Sequence, residues 1–183
     1  MKATLPAAGI ATIWVDLPPK SIELKPEQVE EYLDEIDPPA DVRKRWQETP
    51  EPKRWREFYT KNPKTFVRVG GPPESDQAWR EPVDQGLEIV PEKDPTALHV
   101  GDDFPVRVLR HSQPLAGFSL NAVAAGETKG ETRKTDAEGR VVFRLTKPGS
   151  WLLRGTDLRP ATRADADWES DFATVTVDVA ARE

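Results

Sequence analysis

Three acidic residues alternate with other residue types near the end of the chain, at Asp165, Asp167 and Glu169. Carboxylates are the ligands that calcium prefers. In a strand, residues two apart are separated by about 6.6 Å, so these three could share one ion only in a curled loop. The calcium-loop pattern also requires a glycine where this chain has Ser170. The sequence therefore favours a solvated loop anchored by Trp168, with the three acids as candidate metal ligands and a divalent cation as the candidate cofactor.

The two histidines, His99 and His111, are the other candidate metal ligands. They flank one predicted strand, which places them about 20 Å or more apart and makes a shared ion improbable. The chain has no cysteine, which excludes thiolate metal sites, disulfides and cysteine nucleophiles.

Catalytic motifs are absent from the sequence: there is no G-x-S-x-G, no H-E-x-x-H and no glycine-rich phosphate loop. We therefore predict that the protein is not an enzyme and has no catalytic residues. The alternative is a hydrolase of carbohydrate or cell wall that uses Glu169 and a second carboxylate.

The net charge of −6 is divided evenly between the two halves of the chain, which disfavours nucleic acid as a partner. Residues 43–57 interleave basic residues with Trp46 and Trp55, but nearby glutamates compensate the charge, so an amphipathic helix covering a core is the better interpretation. No apolar run is long enough to span a membrane, and the first residues lack the apolar core of a signal peptide.

Apolar residues alternate in several short segments separated by turns, the pattern of an antiparallel β-sandwich. The predicted strands are 9–17, 64–69, 87–90, 104–110, 117–124, 140–146, 151–156 and 172–179. Helical spacing of Val29, Tyr32, Leu33 and Ile36 predicts a helix over 26–36, followed by two shorter helices near Trp46 and Trp55. The expected fold is mainly β, an immunoglobulin-like or transthyretin-like sandwich with a short helical insertion.

The proline- and glycine-rich segment 71–86 predicts a linker. We expect a partial N-terminal β unit at 1–70, with the helical insertion at 26–60, and a complete sandwich at 87–181.

Several motifs resemble one family over nearly the whole chain: SIELKPEQVEEYLDE, RWREFYTKNPKTFVRVGG, TDAEGR, PGSWLLR and DADWES followed by ATVTVDV. The family is a group of bacterial periplasmic domains of unknown function once described as NikM-like, after a periplasmic component of cobalt and nickel ABC transport. The resemblance implies a periplasmic or extracytoplasmic location, a link to divalent metal uptake, and Trp168, Glu169, Ser170 and Trp151 as candidate ligand-binding residues.

This chain departs from the family pattern in two places. Asp157 stands where many members carry a histidine, and the usual opening of signal peptide and His-Asp-x-Trp is not seen before the first predicted strand. We therefore expect an unpaired sheet edge through which the protein forms a homo-oligomer or meets an envelope partner.

The sequence as a whole predicts a noncatalytic envelope accessory or ligand-binding protein. A structural or adhesion module without a small ligand is the remaining alternative, since sandwiches host all of these functions.

Overall fold

Strands predominate in the computed structural model, which describes residues 8–70 and 76–182. The helices are α1 (Pro26–Ile36), α2 (Ala40–Gln47) and a 3-10 turn (Ala78–Arg80). The strands are β1 (Gly9–Trp14), β2 (Lys20–Leu24), β3 (Trp55–Val69), β4 (Leu87–Pro91), β5 (Leu98–His99), β6 (Asp103–Arg110), β7 (Gln113–Pro114), β8 (Ser119–Ala124), β9 (Glu131–Lys134), β10 (Arg140–Arg144), β11 (Gly149–Pro160) and β12 (Trp168–Ala180).

The strands form two sheets. The large sheet has the order β1-β3-β12-β11-β8-β9, with β2 beside β3 and β5 beside β12, and the small sheet has the order β10-β6-β4, with β7 beside β6. Neighbouring strands are antiparallel, except that β12 runs parallel to both β3 and β5. The predicted mainly β sandwich with a helical insertion is confirmed.

The inner face of the large sheet packs against the small sheet and forms the main core. Alternate residues point to it, as the period-two patterns predict: Ala173, Val175 and Val177 from β12 lie in one buried cluster with Phe104 and Val106 from β6. Each large buried apolar side chain contributes about 1.5–3 kcal/mol, so this face holds the two sheets together.

One ion pair crosses this core. The Lys64 ammonium from β3 donates a 2.6 Å hydrogen bond to Oε1 of Glu88 in β4, and both side chains are only 2% exposed. The backbone N–H of Val83 also donates to Glu88 Oε1. Burial lowers the pKa of Lys64, and the Glu88 carboxylate opposes that effect.

The outer face of the large sheet is covered at one end by the two helices. Val29 and Leu33 point from α1 into a second apolar cluster, and Val42 and Trp46 enter it from α2. Pro26 occupies the first helical position of α1, where its missing N–H costs no helical hydrogen bond. The predicted helix over 26–36 is thus confirmed to its ends.

Tryptophan rings fill the second cluster. Trp55 of β3 stacks on Trp168 of β12 at 4.7 Å between ring centroids and meets Trp46 edge-on at 5.5 Å. Such aromatic pairs add about 0.5–1.5 kcal/mol each beyond burial of their area. The helices are therefore fixed to the sheet by ring contacts.

The helix predicted near Trp55 is wrong, because these residues begin strand β3. Trp55 and Glu57 are buried on the outer face, the two-residue period of a strand, and β3 pairs with β2 on one side and β12 on the other. Four further strands, β2, β5, β7 and β9, lie outside the segments with a predicted strand pattern.

The predicted linker at 71–86 does not divide two cores. Strands β1 and β3 belong to the same sheet as β11 and β12, because that sheet is continuous across the predicted boundary. Residues 71–75 lie outside the described part of the chain. In the remainder, Trp79 is buried and the Asp76 carboxylate accepts a 2.7 Å hydrogen bond from the Ile10 N–H of β1.

Candidate functional site

A cleft lies between helix α1 and the outer face of the large sheet. It consists of two adjoining cavities, one of about 320 Å³ bounded by β2 and β3 and one of about 280 Å³ bounded by β8, β9 and β11. We call them the β2 cavity and the β8 cavity, and together the α1 cleft. Four residues line both cavities: Tyr32, Glu35, Lys61 and Phe172.

Neutral hydrogen-bonding side chains distinguish the β8 cavity. They come from neighbouring strands whose pairing directs them to the same face, as Thr132 of β9 is opposite Asn121 of β8. Hydroxyl and amide groups both donate and accept hydrogen bonds. The neutral polar side chains of this wall are Ser119, Asn121, Thr132, Thr156 and Thr174.

Tyr32 lines both cavities. Its ring stacks on Phe172 at 6.3 Å and meets Trp55 edge-on at 6.0 Å, while its hydroxyl donates a 3.0 Å hydrogen bond to Glu57 Oε1. Burial, together with the nearby Glu57 carboxylate, raises the pKa of the Tyr32 phenol far above its usual value. Tyr32 is therefore a fixed, neutral wall of the cleft.

Glu57 lines the β2 cavity and is 2% exposed. Its Oε1 accepts hydrogen bonds from Tyr32 and from the Ser170 hydroxyl, and its Oε2 accepts a 2.8 Å hydrogen bond from Trp55 Nε1. Among the residues described, no lysine, arginine or histidine nitrogen lies within 4 Å of this carboxyl group. Three neutral donors therefore satisfy Glu57 without a cation.

The C-terminal end of α1 is tied to the sheet by polar contacts. Glu35 forms a 3.0 Å ion pair with Arg154 of β11. Asp37, the residue after the helix, accepts a 2.8 Å hydrogen bond from the Ser119 hydroxyl and lies 3.5 Å from the Lys134 ammonium. The Ser119 hydrogen bond and Lys134 lower the pKa of Asp37. These contacts therefore hold the C-terminal end of α1 against the sheet beside the cleft.

Lys61 extends across aromatic rings of the cleft. Its Nζ lies 5.7 Å from the ring centroid of Tyr59 and 5.9 Å from that of Phe172, within cation–π range. In the part of the chain that the structure covers, no carboxylate lies within 4 Å of this ammonium.

Comparison with known proteins identifies a family. The family model described as "Domain of unknown function (DUF4198)" matches residues 9–156, which is most of the chain. The chain belongs to this family. No curated protein and no solved structure matches the chain. The matched part of the DUF4198 protein includes Tyr32, Glu57 and Lys61, whereas Phe172 lies beyond it.

The three acids predicted as metal ligands have different partners in this DUF4198 protein. Asp167 accepts two hydrogen bonds from the Arg56 guanidinium, at 2.8 and 3.0 Å, and these lower its pKa. Asp165, which is exposed, pairs with Arg163. Glu169 accepts hydrogen bonds from the backbone N–H and hydroxyl of Thr162.

The three side chains therefore do not converge. Within residues 8–70 and 76–182, no group of three or more histidine, aspartate or glutamate side chains is placed to hold a metal. The loop before β12 is partly exposed and Trp168 is buried behind it, the arrangement that the sequence favoured.

The other predicted ligand-binding residues are separated by the sheet. Trp168 and Ser170 face the outer side, where they support Trp55 and Glu57 behind the cleft. Trp151 belongs to the inner core, and its Nε1 donates to the Lys147 carbonyl.

His99 and His111 lie at different places in the sandwich. His99 is on β5 and pairs with Ala180 of β12, while His111 is in the turn after β6 with a positive φ of 47°. Asp157, at the position where the family resemblance suggests histidine, forms ion pairs with Arg110 and Arg159.

Sequence reasoning missed the cleft residues as a group. The helical spacing of residues 26–36 predicts the correct face of α1 for Tyr32, but Glu57 and Tyr59 lie in a segment that the sequence predicts as helical. The alternation in WREFY was the available signal, since Trp55, Glu57 and Tyr59 share one face of a strand. No local signal connected β3 to Phe172, which is more than 100 residues away.

Proposed function

We propose that this protein is a noncatalytic binding protein whose small-molecule site is the α1 cleft. The proposal rests on the observation that two adjoining cavities share a wall that includes Tyr32, Lys61 and Phe172. Their volumes of about 280 and 320 Å³ suit a small metabolite. Apolar rings beside a few oriented polar groups are the usual composition of such sites.

Preorganisation supports the proposal. The hydrogen bond to Glu57 fixes the Tyr32 hydroxyl, and the Glu35–Arg154 ion pair fixes the C-terminal end of α1. A ligand that enters a site already held open loses less free energy to ordering the protein.

A ligand screen tests this function. The protein would be titrated with a library of small metabolites while amide and methyl NMR signals are followed. We expect hits to shift signals of Tyr32 and Phe172, and Phe172→Ala to weaken their binding by roughly 10-fold or more. Val142→Ala, which removes an exposed apolar side chain of β10, is the matched control and should leave binding unchanged. Hits that map only elsewhere would contradict the assignment of the cleft.

The absence of catalysis is part of the proposal. Glu169, the acid of the alternative hydrolase, accepts a hydrogen bond from Thr162 and lies 4.0 Å from Arg159. These contacts hold the loop before β12 in place. We expect no turnover on a panel of glycosides and peptidoglycan fragments. Turnover that falls by orders of magnitude in Glu169→Gln would support the hydrolase instead.

An envelope location completes the proposal and is supported by the family resemblance of the sequence motifs. Neither described helix, of 11 and 8 residues, is long and apolar enough to cross a membrane. Fractionation of native cells with an antibody tests the location. Calorimetric titration with nickel, cobalt and calcium tests the link to metal uptake. Because Asp165, Asp167 and Glu169 each bind a different partner, we expect no heat of metal binding.

Association through a sheet edge is a second candidate function. Strand β1 is at the edge of the large sheet, and six of the seven exposed large apolar residues identified in the described chain lie on or near this edge: Ile13, Trp14, Val15, Leu17, Ile22 and Val67. Exposed apolar edges favour pairing with another chain. Sedimentation velocity at increasing concentration should show a dimer that Trp14→Glu abolishes, and a monomer at every concentration would contradict it.

A further inference from the structure

The β2 cavity carries an excess of acidic groups. Of the described residues that line it, three are glutamates, Glu31, Glu35 and Glu57, and one is basic, Lys61. Glu35 is compensated by Arg154, while Glu57 is satisfied by neutral donors alone. Low-dielectric walls strengthen the field of these groups in the cavity. The potential inside therefore favours a positive charge.

The same cavity contains faces of aromatic rings. Tyr32, Tyr59 and Phe172 all line it, and the Lys61 ammonium already lies against two of them, at 5.7 Å from Tyr59 and 5.9 Å from Phe172. The negative face of an aromatic ring attracts cations, most strongly where water is displaced. Lys61 thus marks a position at which this wall accepts an ammonium group.

We infer that the ligand of the β2 cavity is an organic cation, an ammonium compound that takes the position of Lys61 on the Tyr59 and Phe172 rings. This inference rests on the proposed binding function of the α1 cleft and adds the chemical class of its ligand. Lys61 is exposed and has no carboxylate partner within 4 Å in the described chain, so its flexible side chain can swing into solvent. The bound cation then replaces one ammonium with another.

Calorimetric and NMR titrations of the whole protein test the charge requirement with three probes. Choline is the cationic probe, dimethylbutanol is its neutral carbon isostere, and acetate is the anionic probe. We expect choline to shift the signals of Tyr59 and Phe172 and to bind roughly 10-fold more tightly than its isostere. Choline binding should weaken as sodium chloride is raised, because the attraction is partly electrostatic.

Variants of the cavity wall give effects of opposite sign. Phe172→Leu keeps an apolar side chain but removes the ring face, and should weaken choline binding roughly 10-fold. Lys61→Met removes the competing ammonium and should strengthen choline binding roughly 5-fold. Lys129→Met, which removes an exposed lysine that lines neither cavity, is the control and should change nothing.

The possible results separate this inference from the proposed function. Equal affinity for choline and its isostere would overturn the inference. Acetate binding that is lost in Lys61→Met would also overturn it, and would leave the cleft as a site for anions. If the metabolite screen and all three probes gave no signal at the cleft, the proposed function itself would fail.

Discussion

Two buried glutamates, one on each side of the large sheet, are satisfied in different ways. Glu88, between the sheets, binds the buried Lys64 ammonium at 2.6 Å. Glu57, on the outer face, is equally buried but accepts its hydrogen bonds from Tyr32, Trp55 and Ser170, which are neutral.

The difference distinguishes a carboxylate that is buried to hold the fold together from one that is buried beside a binding cavity. A charge pair inside a core is neutralised within the fold and needs nothing further. A carboxyl group that lacks a cation is costly in a dry core, yet it is useful beside a cavity where a ligand can bring the opposite charge. Glu57 lines such a cavity and Glu88 lines neither part of the α1 cleft.

The largest expected effect comes from breaking the inner pair. Lys64→Met leaves the Glu88 carboxylate buried without its cation, and we expect the free energy of unfolding to fall by about 3–5 kcal/mol. Urea unfolding monitored by tryptophan fluorescence measures the change.

The double variant Lys64→Met, Glu88→Leu is the control for that result. With both charges gone and apolar volume restored, most of the lost stability should return. A double variant as unstable as the single one would show that the pair, and not the unpaired charge, sets the stability.

Glu57→Gln should cost less, about 1–2 kcal/mol, because the fold provides no cation that would be left unpaired and the amide oxygen can still accept a hydrogen bond. The same variant should weaken choline binding. Glu138→Gln removes one exposed carboxylate in a turn and serves as the control. A loss of stability as large as that of Lys64→Met would break the contrast between the two faces.

Tyr32→Phe should lower the free energy of unfolding by about 1 kcal/mol at neutral pH, since it removes one hydrogen bond to Glu57. The pKa of Tyr32 is raised in the folded state, so its contribution is complete below the unfolded value of about 10 and is lost as the pH rises towards the folded value. Wild-type stability should therefore fall more steeply than that of Tyr32→Phe above about pH 10. Parallel curves for the two proteins would argue against a buried neutral phenol.

Asp37→Asn should have the smallest effect, because the side chain is about half exposed. The lowered pKa of Asp37 means that its stabilising contribution is present above the unfolded value of about 4 and is lost as the pH falls through the folded value. Stability measured at pH 7 and in the acid range should therefore differ less in the variant than in wild type. An identical acid profile would show that Asp37 does not hold the end of α1.

The sequence predicted those parts of the fold that depend on one strand or helix at a time. The alternation of Val141 and Phe143 and the helical spacing of Val29 and Leu33 report directly which side of each element is buried, and the structure buries these residues as predicted. The prediction failed near Trp55, because tryptophans among charged residues fit both a short amphipathic helix and a strand with one buried face.

The candidate site could not be predicted in the same way. The acids before β12 attracted attention because they are neighbours in sequence, yet Asp165 and Asp167 are bound to different arginines. The cleft depends instead on the pairing of β3 with β12, which places Lys61 beside Phe172.

The amino-acid sequence by itself determined the β-sandwich core, the helix α1 and the absence of cysteine chemistry, since residue type and periodicity are enough to specify which local surfaces avoid water. Only the tertiary structure decided that Tyr32, Glu57 and Phe172 form one wall. The hydrogen bond from Tyr32 to Glu57 joins residues 25 positions apart, and the one from Ser170 to Glu57 joins residues 113 positions apart. Contacts between residues so far apart in the chain, such as those across parallel strands, leave no periodic pattern in the sequence.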